Sequence, residues 1–314
     1  MKYEDFKKDL MRELKKRFVE NDKTCKCKVN KLPKVNKDEE GLYVSVGDEG
    51  TAVLSFNELY DIYGNGHMRI GRVSEEVSKL VNEQINNRDD SSFLQDTMEI
   101  MSDKEEAKKR IIYYAVNVNC NENLLKLVPY RFFLDLMIIY RLVIDSDENG
   151  VQSMVITNEQ MKIMGMTEKD LYEAAAVNTP KILSQRICKM YEGVSEIGGL
   201  ELLSLDEQAD RAIESGESVK ITCVPRVNCS YNLIDMTCIK LLAEKMGSDV
   251  YILPSSIQEV LCVKVGGKLS LERLCAIVRE ANSKTWVVAD ESYLSDCIYI
   301  YRRKKGTLSI IANK

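Results

Sequence analysis

The last third of the chain most constrains the fold, because its apolar residues follow two different periods. Short runs rich in β-branched residues, such as VKITCV, DVYILP and EVLCVKV, are typical of strands. Between and after them, LIDMTCIKLLAEKMG and SLERLCAIVREAN have the spacing of amphipathic helices, and a strand TWVVA and a hairpin CIYIYRRKKGTLSII follow. This alternation predicts an α+β fold, with mixed, largely antiparallel sheets and helices packed on one face.

The first half of the sequence predicts a similar mixture of elements. An apolar stripe on an N-terminal helix consists of Phe6, Leu10, Leu14 and Phe18. A polar, lysine-rich connector follows over residues 23–40, and then GLYVSVGDEGTAVLSF predicts a β-hairpin. Farther on, RIIYYAVNVN predicts a strand, and Thr167 with Asp170 predicts the capping box of a helix.

The chain has 314 residues, which is room for two domains of roughly 100 to 200 residues each. The stretch 186–217 has no strong period, so we place the main boundary there. The predicted organisation is a basic helix and connector over 1–40, an N-terminal α+β lobe over 41–185 and a C-terminal α+β lobe over 186–314.

The cysteines and the apolar runs bear on the compartment. Ten cysteines lie in apolar or strand-like contexts, which is typical of reduced cysteines in a cytoplasmic protein. Cys25 and Cys27 form a C-x-C pair, but no second pair or histidine lies at zinc spacing, so we expect no metal. The most apolar window, FFLDLMIIYRLVI, contains Asp135 and Arg141 and is shorter than the ~20 residues that span a bilayer, so we expect no membrane contact.

Positive charge is concentrated at the N-terminus. Residues 1–37 hold 13 Lys and Arg against 6 Asp and Glu. Such an arm could bind the phosphates of a nucleic acid, but its mixed charges fit a solvated helix, and the basic stretch after Phe18 has no interleaved aromatic residues to stack on bases. Nucleic-acid binding is therefore the less favoured interpretation.

Common catalytic and cofactor motifs are absent from the sequence. It contains no G-x-G-x-x-G, no G-x-x-x-x-G-K-[ST] and no G-x-S-x-G, and we expect no cofactor. His67 is the only histidine, so any mechanism with a histidine base depends on it. Because it follows two glycines at a helix end, we interpret it as a solvated loop residue.

Polar residues in apolar surroundings are the remaining candidates for a site. The clearest are in YILPSSIQEVLCV, where two serines and a glutamate interrupt a strand-like run. We predict a polar cleft formed by Asn178, Thr179, Asn228, Ser255, Ser256, Glu259, Glu291, Ser295 and Asp296. The same residue types also make ordinary turns and helix caps.

The chain resembles an uncharacterised family of bacterial proteins of about 300 residues, a domain of unknown function found mainly in anaerobic Gram-positive bacteria. The resemblance is carried by NELYDIYGNG, NVNCNENLLKLVPYRFFLDLMIIY, LYEAAAVNT, LPSSIQEVL and REANSKTWVVADESYLSDCIYIYRR, from about Gly41 to Arg303. It implies a shared fold and a bacterial cytoplasmic setting, and it implies no activity. The sequence departs from the family at Gln258, where the family usually has histidine.

Taken together, these features favour a binding or regulatory module over an enzyme. Its ligand would be a protein or a small molecule held in the polar cleft. One alternative is a metal-independent hydrolase or transferase, in which Ser255 or Ser256 is the nucleophile and Glu259 or Asp296 the base. The departure at Gln258 counts against it, because glutamine cannot shuttle a proton. A third hypothesis is a nucleic-acid-associated or defence-related accessory protein.

Overall fold

The computed structural model describes residues 2–20, 23–47, 49–65, 68–86, 96–147, 150–191, 199–216, 218–224, 230–257, 259–283 and 292–312. The chain divides into two units, of which unit 1 comprises Met1–Lys34 and Asp38–Ile100, and unit 2 comprises Val35–Lys37 and Met101–Lys314. The three-part organisation predicted from the sequence, with boundaries after residues 40 and 185, stays a prediction.

Unit 1 contains a three-stranded sheet in the order β1-β2-β3. Its strands are β1 Cys25–Lys34, β2 Lys37–Val46 and β3 Gly50–Ser55, and its helices are α1 Tyr3–Val19, α2 Phe56–Asn65, α3 Ile70–Asn86 and α4 over residues 96–102. The predicted hairpin is confirmed, since β2 and β3 pair in antiparallel register from Gly41 and Ser55 to Val46 and Gly50.

The apolar stripe of α1 forms the core of unit 1, as its spacing predicts. Phe6, Leu10 and Leu14 are fully buried against apolar residues of β2, α2 and α3. Where the sequence predicted a polar connector, the structure has strand β1. Its period-2 pattern explains the difference, because Lys26 and Lys28 lie on the exposed face and the intervening residues pack on the core.

Unit 2 contains a six-stranded sheet in the order β13-β12-β10-β11-β9-β8 and a four-stranded sheet in which β6 pairs with β4, β5 and β7. The strands are β4 Ile111–Asn117, β5 Tyr130–Phe133, β6 Leu136–Asp147, β7 Gly150–Val155, β8 Ser184–Lys189, β9 Ser218–Val224, β10 Val250–Ser256, β11 Glu259–Lys264, β12 Ile298–Arg302 and β13 Thr307–Ala312. The helices are α5 Lys104–Lys109, α6 Glu122–Leu125, α7 Asn158–Ile163, α8 Glu168–Ile182, α9 Leu205–Glu214, α10 Thr237–Met246 and α11 Leu271–Ser283. The registered strand pairs of unit 2 are antiparallel, which confirms the predicted α+β class.

Helices cover both faces of the six-stranded sheet, whereas the sequence predicted helices on one face. Ile252 and Cys262 pack in a core with α9 and α10, while Leu253 and Val263 pack with Leu274 of α11. Adjacent residues of a strand point to opposite faces. Continuous apolar runs such as VYIL and VLCV are therefore typical of strands buried on both sides.

Local sequence explains where several helices begin. Thr167 and Asp170 form the predicted capping box of α8, and Ser204 with Glu207 does the same for α9. Helix α10 ends at Gly247, whose φ of 62° is left-handed. The predicted strand TWVVA lies outside the described residues.

Among the described cysteines, eight are free thiols, as expected, and Cys223 is not. Cys188, Cys238 and Cys262 are buried free thiols, as small core residues are. Cys223 on β9 is instead disulfide-bonded, which corrects the expectation of a reduced residue there. Its apolar strand context does not distinguish a buried thiol from a buried disulfide.

Candidate functional site

The Pro-Ser-Ser turn, residues 254–259, joins β10 to β11. Ser256 and Glu259 are cross-strand partners at the end of this pair. The Glu259 Oε2 lies 3.6 Å from Nζ of Lys220 on β9, and the Lys220 side chain is 9% exposed. Because a nearly buried ammonium needs a counter-charge, Glu259 compensates Lys220 within the sheet.

The Leu-Ser-Asp segment, residues 292–297, runs beside this turn. The Ile257 N–H donates to the Ser292 carbonyl at 2.9 Å. Ser295 is 1% exposed. Its hydroxyl donates to Asp135 Oδ2 at 2.6 Å and accepts from the Cys297 N–H at 2.9 Å. The Ser295 hydroxyl therefore both donates and accepts a hydrogen bond within the fold.

Asp135 lies in the two-residue turn between β5 and β6, after Leu134 with its left-handed φ of 57°. Asp135 Oδ1 also accepts a hydrogen bond from the hydroxyl of Tyr299 at 2.7 Å. Burial, and then the charge of Asp135, raise the pKa of Tyr299, so the phenol keeps its proton and donates. Burial also raises the pKa of Cys297 to about 11. Neither group is an anionic nucleophile at neutral pH.

Asp296 connects the same segment to helix α11. Its Oδ1 accepts from Asn282 Nδ2 at 2.7 Å, and the same amide donates to the Ser295 carbonyl at 3.2 Å. These contacts fix the C-terminal part of α11 against the segment.

Asn178 and Thr179 bind other elements and hold α8 against α5 and β4. The Asn178 amide donates to the carbonyls of Lys108 at 2.7 Å and Ile111 at 3.1 Å. The buried Thr179 hydroxyl accepts from the Tyr113 N–H at 3.1 Å. Both side chains thus satisfy backbone groups of neighbouring elements.

Several predicted residues cannot be placed. Outside the described residues lie Asn228, Gln258, Glu291 and His67, together with the side chain of Ser255. Of the others, the structure brings the Pro-Ser-Ser turn and the Leu-Ser-Asp segment together through a main-chain hydrogen bond. Asn178 and Thr179 on α8 instead contact α5 and β4.

A second polar region lies where the β12–β13 turn meets the first turn of α10. An open cleft of about 830 Å³ is lined there by four cations and one carboxylate, which are Lys240, Arg303, Lys304, Lys305 and Asp235. We call it the cationic cleft. Its volume falls in the range of roughly 300 to 1,000 Å³ that is typical of small-molecule sites.

Two arginines of the β12–β13 turn are bonded within the protein. Arg302 Nη1 donates to Asp249 Oδ2 at 3.0 Å, and the Arg303 N–H donates to Oδ1 of the same carboxylate at 2.9 Å. Arg303 Nη1 lies 3.1 Å from Glu244 Oε2 on α10. The Arg302 guanidinium lowers the pKa of Asp249. These contacts position the turn beside the C-terminal end of α10.

The lysines of the cationic cleft differ from these arginines. Lys240, Lys304 and Lys305 are exposed, and in the part of the chain that is described none of them forms an ion pair. The Asp235 carboxylate accepts from Thr237, the first residue of α10, at 3.1 Å from its N–H and at 2.6 Å from its hydroxyl. The cleft therefore has an excess of positive charge.

The other wall of the cationic cleft is apolar and aromatic, with Tyr113, Ile234 and Met236. Burial, and then the charge of Asp235, raise the pKa of Tyr113, so its hydroxyl stays protonated. Tyr113 is 3% exposed, and its hydroxyl has no hydrogen-bond partner among the described residues, so it remains available as a donor where Tyr113 lines the cleft.

Sequence reasoning missed this cleft, although one signal pointed to it. The run Arg302–Lys305 places four consecutive cations in a hairpin turn. As a pattern it predicts only a hairpin turn, and the N-terminal arm carries the more conspicuous cluster of positive charge. Tyr113 and Lys240 carry no sequence signal of their own, because only the fold brings them to this turn.

The fold and these regions define an α+β protein with an open cationic cleft. The chain belongs to a family of unknown function, DUF5688, whose model matches residues 3–303. The resemblance to an uncharacterised family is thereby confirmed. No curated protein and no solved structure matches the chain.

Two kinds of feature are absent from the described residues. No group of three or more His, Cys, Asp and Glu side chains among them is arranged to hold a metal ion. Within the same residues, no helix has the length and apolar character needed to cross a membrane.

Proposed function

We propose that this protein is a non-catalytic binding or regulatory module and that the cationic cleft holds a small organic anion. The observation that carries the proposal is the convergence of Lys240, Lys304 and Lys305, without an ion pair to any described residue, on one cleft. Like charges held close together repel one another, and a bound anion removes that repulsion.

The chemistry of the cleft favours an organic phosphate over a bare inorganic ion. Lysine ammonium groups bind phosphate as point charges. Tyr113 supplies a neutral hydroxyl donor, and Ile234 with Met236 supplies an apolar wall for the uncharged part of the ligand. The cleft volume of about 830 Å³ accommodates a molecule of nucleotide size.

Isothermal titration with inorganic phosphate, pyrophosphate and ATP tests the proposal. We expect ATP to bind more tightly than inorganic phosphate, because it adds charge and apolar surface. The double variant K304A/K305A should weaken ATP binding about tenfold, since each exposed charge contact contributes up to about 1 kcal/mol.

The matched control is K126A/K162A, which removes two exposed lysines outside the cleft. It should leave ATP binding unchanged. Equal losses in both double variants would mean that binding follows net charge alone and would remove the proposal. The absence of binding by all three anions would also contradict it.

The polar cleft predicted at the Pro-Ser-Ser turn stays a second candidate for the same binding role. It is supported by the Ile257 to Ser292 hydrogen bond, which places two of its segments side by side. The cationic cleft is favoured, because Glu259 pairs with Lys220 and Ser295 with Asp135.

The other hypotheses from the sequence gain no specific support. For the hydrolase, Glu259 pairs with Lys220 and Asp296 accepts from Asn282, so both carboxylates already have partners within the fold. The nucleic-acid hypothesis and the cytoplasmic, bacterial setting stay predictions.

A further inference from the structure

Two cysteines of unit 1 lie in contact on one face of strand β1. Cys25 and Cys27 are two residues apart, so their side chains point to the same side of the strand. Their sulfur atoms are 3.7 Å apart. Both are partly buried and pack against the apolar core of the unit, so each keeps some exposure to solvent.

The two thiols have different acidities. The hydrogen bond with Cys27 lowers the pKa of Cys25, burial opposes this shift, and the charge of Lys15 reinforces it. The same hydrogen bond and burial raise the pKa of Cys27. Cys25 is therefore the thiol that more readily becomes a thiolate, and the thiolate is the reactive form.

The strand limits how stable a bond between these sulfurs can be. Residues two apart on a strand have Cα atoms about 6.4 to 6.8 Å apart. Disulfides span Cα separations of about 4.4 to 6.8 Å, so this pair stands at the upper end of the range. A disulfide at this separation would be strained, and strained disulfides are the easily reduced ones.

We propose that Cys25 and Cys27 form a reversible redox pair that undergoes exchange with a low-molecular-weight disulfide such as oxidised glutathione. The Cys25 thiolate attacks one sulfur of glutathione disulfide, which forms a mixed disulfide and releases one glutathione thiolate. Cys27 then loses its proton and attacks Cys25 Sγ, which forms the Cys25–Cys27 disulfide and releases the second glutathione. Two protein thiols are oxidised, and one glutathione disulfide is reduced to two thiols.

Among the described residues, other free cysteines differ from this pair in their exposure. Cys120 is exposed. Cys262 is fully buried, and burial raises the pKa of its thiol. Burial also raises the pKa of Cys238 to about 12. The proposal thus applies to one pair and makes Cys120 the natural control.

The test incubates the full-length protein with mixtures of reduced and oxidised glutathione, blocks the remaining thiols and maps the modified cysteines by mass spectrometry. In the wild type we expect a disulfide between Cys25 and Cys27, which returns to two thiols as reduced glutathione is increased. C27S should instead accumulate glutathione at Cys25, because the attacking second thiol is absent. C25S should lose the disulfide and carry little glutathione at Cys27, and C120S should behave as the wild type at the pair.

Two results would overturn the proposal. One is a wild type in which both thiols stay free under conditions where Cys120 becomes glutathionylated, since the pair would then be a sulfur contact of the core. The other is a wild type in which glutathione remains on Cys25 without a disulfide. The wild-type measurement decides the matter even where a serine variant folds poorly.

Discussion

The Leu-Ser-Asp segment and the cationic cleft are both polar regions of unit 2, but their side chains differ in where they find partners. In the segment, Ser295 and Tyr299 donate to Asp135, and Asp296 accepts from Asn282. In the cleft, the three lysines have no ion pair among the described residues. The polar residues that interrupt apolar stretches of sequence thus form hydrogen bonds within the protein. The lysines without an ion pair lie instead at exposed positions of the β12–β13 turn and of α10.

The physical reason is the cost of burial. A buried hydroxyl or carboxylate without a partner costs about 1 to 3 kcal/mol or more, so most such groups in proteins are hydrogen-bonded. An exposed lysine is hydrated and carries no such requirement. The comparison therefore favours a structural role for the first region and supports the binding role proposed for the second.

The largest effect should come from Asp135→Ala. The change leaves the buried hydroxyls of Ser295 and Tyr299 without their acceptor, and each loss costs about 1 to 3 kcal/mol. We expect the free energy of unfolding to fall by about 3 kcal/mol in urea denaturation followed by circular dichroism. The control D145A, at an exposed aspartate, should change it by less than about 0.5 kcal/mol. Equal free energies of unfolding for D135A and D145A would show that Asp135 does not stabilise the Leu-Ser-Asp segment.

A smaller effect is expected from Asn178→Ala. The amide donates to two backbone carbonyls, those of Lys108 and Ile111. Losing both bonds should lower the free energy of unfolding by about 1 to 2 kcal/mol without changing anion binding. V177A, at an exposed neighbour on α8, is the control and should be close to neutral. If N178A abolished binding while its stability stayed normal, Asn178 would belong to a ligand site.

The smallest effect should come from Asp249→Asn, and it should depend on pH. Arg302 holds the folded pKa of Asp249 below its unfolded value. A depressed carboxyl pKa contributes stability above the unfolded value, and this contribution is lost as the pH falls through the folded one. The variant should thus be less stable than the wild type at neutral pH. The loss should not exceed about 1 kcal/mol, because the Arg302–Asp249 pair is partly exposed to solvent.

Urea denaturation near neutral pH and again near pH 3 measures this dependence, and the difference between D249N and the wild type should shrink at the lower value. D145N serves as the control without such an ion pair. A difference that grew as the pH fell would contradict the assigned role of the Arg302–Asp249 pair.

Local pattern was enough to predict most elements, and tertiary geometry accounts for what it missed. The stripe from Phe6 to Phe18 and the capping box at Thr167 are properties of neighbouring residues, and both are present in the structure. Strand β1 was missed because its lysines outweighed the alternation that Cys25 and Cys27 begin. Lysine on an edge strand is a common protection against unwanted pairing.

The candidate site was harder to predict, because its contacts join distant parts of the chain. Ser295 was identified as a candidate, but its partner Asp135 lies 160 residues away and was noted only as a charge in an apolar window. The cationic cleft likewise combines Tyr113, Lys240 and Lys304. No spacing rule connects residues that only the assembled sheets and helices bring together.

The most direct test of the central claim is the dissociation constant of ATP for variants of the two regions, measured by isothermal titration under identical salt. We predict that K304A/K305A weakens binding about tenfold, whereas S256A and D296N, in the Pro-Ser-Ser turn and the Leu-Ser-Asp segment, change it less than about twofold. The opposite pattern, with normal binding in the lysine variant and a loss in S256A or D296N, would contradict the account and place the ligand at the Pro-Ser-Ser turn.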